Sequence, residues 1–300
     1  MTTHLKNQPI GSTFKNSRLG SNQIPVRHMQ FVFADDFPVN FAFNNALTTS
    51  VFVALSAVFP SGERFFMDSI RYFRDHITDD ALKQQIAGFI GQEAMHGREH
   101  DRFNKALIKK GFDVEIGVKS ITRGLGLLRK LTPVQQLACT VVMEHATAHL
   151  AIQWLSHADL NRLSDPKTLA MWQWHALEEL EHKTVSYDVY KILDEDKWIT
   201  RFIAVCAVMG VVIPVSIYAA IVIAYKHGSH KNRKEFIQGL KLLFGQDGFL
   251  RPLITKAPDF LKKDFNPRND DTEQLEQVWK EKLLGPNGII NEFYMNKLAS

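Results

Sequence analysis

The chain reads as an all-α protein: a four-helix bundle with an added long apolar helix and a helical C-terminal tail. Three observations carry that reading. Apolar residues recur at helical spacing through most of residues 44–245, and no segment shows the strict alternation of a half-buried strand. Start and stop signals punctuate the same stretch, with Asp79, Thr132-Pro133 and Asp165-Pro166 as starts and Gly111 as a stop. One run, Phe202 to Tyr225, holds 24 residues without a charge.

The elements follow in order. Residues 1–27 are polar, with Gly, Ser and Asn throughout, and predict a flexible arm with no secretory signal. Residues 28–42 carry Phe31, Phe33, Phe37, Pro38 and Phe41, an irregular segment expected to lie against the bundle. Asn44 to Phe59 is helical in character, and Pro60-Ser61-Gly62 predicts a kink or break before a second helix to His76. Asp79 starts a long helix to about Lys110. Residues 112–131 form a connection, with a short helix near Leu125 to Lys130. Thr132-Pro133 opens a helix to about Leu163, and Asp165-Pro166 opens one to about Leu193. The expected domains are therefore the arm (1–27), the bundle (28–200), the apolar helix (201–226) and a basic helical tail (227–300).

Four stretches along the bundle carry metal-ligand residue types. They are Glu63; Glu93-x-x-His96; Glu144; and His175-x-x-x-Glu179-x-x-His182. Residues three or four apart share a helix face, so each set can point at one bundle axis. Carboxylates bridge two cations and neutralise their charge, and imidazole suits iron. One Glu from each of two helices and a Glu-x-x-His from each of the other two is how ferritin-like bundles build a two-metal site. The gap from Glu93 to Glu144 leaves room for the crossover between the halves of such a bundle. Eight of the 12 His lie between His76 and His182, which favours a site over scattered surface use. His145 and His149 point away from the face of Glu144. His76 and His157 sit near helix ends, an ordinary place for a cation. His100, one turn beyond His96, reads as an extra ligand, an outer partner or a proton donor. Glu178 and Glu181 read as ion-paired carboxylates or partners of a ligand imidazole. Trp154, Trp172 and Trp174 read as core. No catalytic residue beyond the metal site is legible.

Net charge is +4, a mild excess that implies no nucleic-acid partner. Cys139 and Cys206 sit in apolar helical runs and read as small buried hydrophobes of a reducing compartment. As a straight helix, the uncharged run reaches about 36 Å, against a hydrocarbon core of about 30 Å. Lys226, Lys231, Arg233 and Lys234 follow it and suit a cytoplasmic leaflet. Gly210 and Pro214 in its middle and the lack of a second span stand against a full crossing, and the alternative is a buried core helix or a homodimer interface. Glu235 to Phe244 is amphipathic and basic, as at a membrane surface. The expected location is the cytoplasm, at the cytoplasmic face of the inner membrane.

Three stretches resemble a bacterial family of predicted metal-dependent hydrolases over roughly residues 28–245. They are Phe59-Pro-Ser-Gly-Glu63-Arg-Phe-Phe66, Gln92-Glu-Ala-Met-His96-Gly-Arg-Glu-His100 and His175-Ala-Leu-Glu-Glu-Leu-Glu-His-Lys183. The ligand spacing alone is similar to the three-His pattern of di-iron arylamine N-oxygenases. That likeness implies Glu63, Glu93, His96, Glu144, His175, Glu179 and His182 as ligands of two iron ions, with manganese the alternative. The resulting expectation is an O₂-activating oxidoreductase: an oxygenase, hydroxylase or desaturase. It would take electrons from a donor of unknown identity and act on an apolar, lipid or fatty-acyl substrate lined by Phe65, Phe66 and Phe89. The alternatives are a two-metal hydrolase, as the family name has it, or a non-enzymatic metal-binding or assembly protein.

Overall fold

The computed structural model describes residues 23–157, 164–193 and 197–295. The arm over residues 1–22 and the expected helix end at 158–163 lie outside the described residues. The described chain is all-α, as the sequence predicts. Among the described residues the one β pairing is an isolated bridge between Met29 and Tyr294.

The bundle helices are α1 (Ala46–Arg71), α2 (Asp80–Lys109), α4 (Pro133–Ser156) and α5 (Pro166–His182). Their starts are chemically explicit. Asn45, Asp79 and Asp165 each accept hydrogen bonds from first-turn amides, and Thr132 and Gln135 form a reciprocal capping box. Gly111 ends α2 with φ +89°, a conformation that favours glycine.

Four expectations are corrected. Cys139 is buried as expected, but Cys206 is exposed, because its position on its helix faces away from the bundle. No break occurs at Pro60, which lies inside the continuous α1. An interior Pro costs a helix about 3 kcal/mol, but α1 buries Val51 to Ala54 before it and Phe65 and Phe66 after it. That burial outweighs the local cost. The connection 112–131 is mostly helix: α3 (Val114–Leu128) buries Ile121, Leu125 and Leu128. The helix that starts at Pro166 ends at His182, and α6 (Val185–Ile192) follows separately.

The long apolar run forms one rod: α7 (Trp198–Ala207), a π turn (Val208–Val212) and α8 (Ile213–His227). The π turn coincides with Gly210 and precedes Pro214, the usual setting for such a bulge. After Gly228, at φ +78°, come α9 (Arg233–Phe244), α10 (Arg251–Lys256) and α11 (Glu273–Leu284). The tail packs on the bundle: Trp279 is buried and its Nε1 donates to the Leu155 carbonyl at 3.0 Å.

Two apolar cores stack along the bundle. One gathers Phe43, Phe52, Phe103, Trp154 and Trp172; the other gathers Phe65, Phe66, Phe89, Leu137 and Tyr190. Between them α1, α2, α4 and α5 each contribute buried ionisable residues. This polar layer holds the candidate site.

Candidate metal centre

All seven sequence-predicted ligands are buried in that layer. Glu93, His96, Glu179 and His182 bring one ligand atom each to within 4.8 Å of one another. Glu63, His100 and His175 form a second such group. The two groups touch. His175 Nε2 lies 3.0 Å from Glu179 Oε1, which is also 3.7 Å from His96 Nδ1 and from His182 Nε2. The His96 and His175 rings stack at 4.1 Å. Glu179 is thus the carboxylate shared between the groups. His100 joins the second group, its Nε2 2.8 Å from His175 Nδ1 and its Nδ1 3.0 Å from Ser56 Oγ. Glu144 lies outside both groups, with Oε2 3.1 Å from His182 Nδ1.

A pure protein interior does not tolerate this arrangement well. Buried polar atoms are almost always hydrogen-bonded. Among the described residues, eight buried side-chain polar atoms of Glu63, Glu93, His96, Glu144, Glu179 and His182 lack a hydrogen-bond partner. The orphaned atoms are carboxylate oxygens and ring nitrogens, the donor set of a divalent transition metal.

The electrostatics say the same. Burial, then Glu179, Asp101 and Glu144, pushes the Glu63 carboxyl well above its ordinary range. Burial and Glu144 do the same to Glu93. Burial raises Glu144 to about 7 against the pull of His182. His182 loses by burial but gains more from Glu144 and Glu179, and rises to about 9. Burial and the neighbouring imidazoles hold His96 and His100 low, in the neutral form that ligates metal. Without a cation the layer must hold protons to neutralise itself.

An outer set fixes these groups. Glu178 Oε2 lies 3.0 Å from His96 Nε2, which leaves His96 Nδ1 facing Glu179. Glu178 accepts in turn from Trp174 Nε1 at 2.9 Å and from Arg27 at 2.8 Å. Arg27 also binds both oxygens of Glu181, which accepts from Gln92 as well. A ligand imidazole whose other nitrogen meets a carboxylate is the usual outer arrangement of a metal site. Sequence reasoning missed Arg27, Gln92 and Ser56, because their partners lie on other segments. It also missed Gly97: a Cβ there would sit 2.9 Å from Glu63 Oε2, so glycine is what lets α2 pass that carboxylate.

The expected apolar lining is corrected. Phe65, Phe66 and Phe89 pack into the core that also holds Leu137 and Tyr190, Phe89 edge-on to His182 at 4.9 Å. The cavity beside the site, about 40 Å³, is instead walled by Phe52, Phe59, Leu150, Trp172 and Phe249, with Thr147, His175 and Glu179 its polar residues. A third group, His145, His149 and Asp270, lies apart, and Lys256 already faces Asp270 at 3.4 Å.

Fold and site together define a helical-bundle protein with buried His and Glu groups able to hold metal ions. The family model described as "Predicted metal-dependent hydrolase" matches residues 25–271, and the chain belongs to that family. No curated protein and no solved structure matches it, so the likeness to arylamine N-oxygenases stays confined to ligand spacing.

Proposed function

We propose that the chain is a dinuclear metalloenzyme acting on a substrate with an apolar part. The observation that carries the proposal is the set of eight orphaned carboxylate and imidazole atoms in one buried layer. Glu93, His96, Glu179 and His182 would hold one ion, and Glu63, His100 and His175 the other, with Glu179 between them. Glu144 positions His182 and is the spare carboxylate that can swing to an ion.

Metal-dependent hydrolysis is the first reading, because the family description supports it. Two bound ions would supply a nucleophile from water at neutral pH and a clamp for the leaving group. The chain's own residues do the rest. Glu178 fixes the His96 ring through its Nε2. Phe52, Phe59 and Trp172 exclude water from one side and receive the apolar part of a substrate. Thr147, beside Glu179, is the hydroxyl in that wall.

Oxidation by O₂ with iron is the second reading. It is favoured by a donor set of Glu and His alone, on three helices with Glu144 of a fourth beside His182, next to a cavity whose walls are almost wholly apolar. It needs an electron donor; manganese is the alternative metal for either chemistry. One pair of assays separates the two. The full chain loaded with Zn²⁺, Mn²⁺ or Co²⁺ is tested for turnover of acyl esters and amides. The Fe²⁺-loaded chain is mixed anaerobically with O₂ and followed by visible absorption. Ester or amide turnover with an O₂-inert ferrous form supports hydrolysis. A transient band without turnover supports oxidation. Neither result, in a protein that binds no metal, rejects both.

A further inference from the structure

The rod formed by α7, the π turn and α8 presents its outer face to solvent, and that face is apolar over its whole length. Trp198, Phe202, Met209, Ile217, Ile221 and Tyr225 are all exposed, Ile221 by 61 % and Tyr225 by 69 %. Soluble proteins rarely leave so long an apolar stripe bare. The inner face is fastened along the bundle. Ala204, Val208, Val212, Ala219 and Ile223 are buried, and Val211 and Val215 close on Gly124 of α3. The rod is therefore long enough to cross a bilayer, yet it is packed along its length, α7 on α4 and α8 on α1 and α3. Crossing would drag in α1, which carries Glu63.

We propose that this face lies in the plane of an anionic lipid bilayer, at the headgroup–acyl boundary, with the bundle on the aqueous side. Charge selects lipid over a second copy of the chain. Lys231, Arg233, Lys234 and Lys241 crowd the C-terminal end of the rod and α9 and are exposed. A twofold interface would have to meet them with acidic groups from the same face. The nearby acids are engaged: Asp113 pairs with Lys226 at 2.5 Å, and Glu235 accepts from the Ala46 amide at 2.9 Å. Anionic headgroups meet the lysines directly. The next helix repeats the pattern: α9 exposes Ile237, Leu240 and Phe244 beside Lys234 and Lys241. Aromatic residues mark the stripe as they mark membrane interfaces, with Trp198 at one end and Tyr225 at the other. Phe249, a few residues beyond α9, walls the cavity beside His175 and Glu179. The lipid contact and the site thus lie at the two ends of one short segment. The surface argument is independent of which reaction the site performs.

The test is flotation of the full-length protein with vesicles, without detergent. Two compositions are used: phosphatidylcholine alone, and phosphatidylcholine mixed with phosphatidylglycerol. The protein should float with the mixed vesicles and far less with the neutral ones. Ile217→Asp with Ile221→Asp should weaken flotation by at least about tenfold, because charges then enter the apolar zone. Lys231→Gln with Lys234→Gln should weaken it by about tenfold on mixed vesicles only. All four positions are exposed, so melting temperatures should hold; if the Asp variant misfolds, the Gln variant carries the test. Absence of flotation with both compositions overturns the proposal. If the unbound protein is then a dimer that Ile217→Asp splits, the occupant is a second copy; if it is a monomer, the face is bare.

Discussion

The mid-bundle layer and the outer face of the rod break opposite rules. The layer buries Glu63, Glu93, Glu144 and Glu179 where water cannot reach them, and leaves their oxygens without full partners. The rod does the reverse, holding Phe202, Ile217 and Ile221 in contact with water. Each is costly in the isolated chain. The two differ in what removes the cost. Cations would neutralise the layer from within, whereas the rod needs an apolar surface brought to it from outside. Under the two proposals made above, metal would lower the free energy of the layer and lipid that of the rod.

The comparison breaks most sharply at Glu179. Glu179→Ala removes the carboxylate between both groups, and both ions should be lost, with activity falling below about one-hundredth of wild type. Metal content and turnover, measured together, check this. A smaller effect is expected one layer out. Glu178→Gln takes the carboxylate from His96 Nε2 and should weaken metal affinity about 10–100-fold, read by competition with a chromogenic chelator. Gly97→Ala sets a methyl 2.9 Å from Glu63 Oε2. It should lower occupancy at the Glu63–His100–His175 group while the other group keeps its ion, as metal titration would show.

The pH dependence sharpens the electrostatic half. Glu178 is raised to about 8 by burial, against Arg27, and His182 is raised to about 9 by its carboxylate neighbours, which outweigh its burial. A carboxyl with a raised pKa costs stability once pH climbs from its unfolded value through its folded one. The contribution of His182 is complete below its ordinary value near 6.5 and is lost as pH passes about 9. Both signs agree between pH 7 and 9. His96 and His100, held low, act on the acid side of that window. The metal-free protein should therefore melt lower at pH 9 than at pH 7, by roughly 4–8 °C if about 2 kcal/mol is lost. The metal-loaded protein should show little of this drop, and its loading should release protons. Calorimetry at the two pH values reads both. The smallest effect belongs to the rod. Ile221→Asp should leave metal content unchanged and shift stability by no more than about 0.5 kcal/mol. A large loss of metal there would mean that the two regions are coupled.

The sequence carried the helical parts because their signals are local. Asp79, Thr132-Pro133 and Asp165-Pro166 cap the helices they predict, and the i, i+3 and i, i+4 spacings place Glu93 with His96 and His175 with Glu179 and His182. What was not legible depends on partners distant in the chain. Pro60 reads as a break until the burial of α1 on both sides is known. His100 was ambiguous because its partner His175 is 75 residues away. Arg27 looked like part of a loose arm, and its partners Glu178 and Glu181 lie more than 150 residues on. Glu144 kept its place on the bundle axis but met His182 Nδ1, a choice that helix spacing cannot make.

The most direct test of the central claim is the metal-to-protein ratio of the full-length chain, purified without chelator and then loaded anaerobically with Fe²⁺ or Mn²⁺. Inductively coupled plasma analysis should give about two ions per chain, as a carboxylate-bridged bundle site requires. A ratio of one or less, in a chain that is folded by circular dichroism, contradicts the two-metal account.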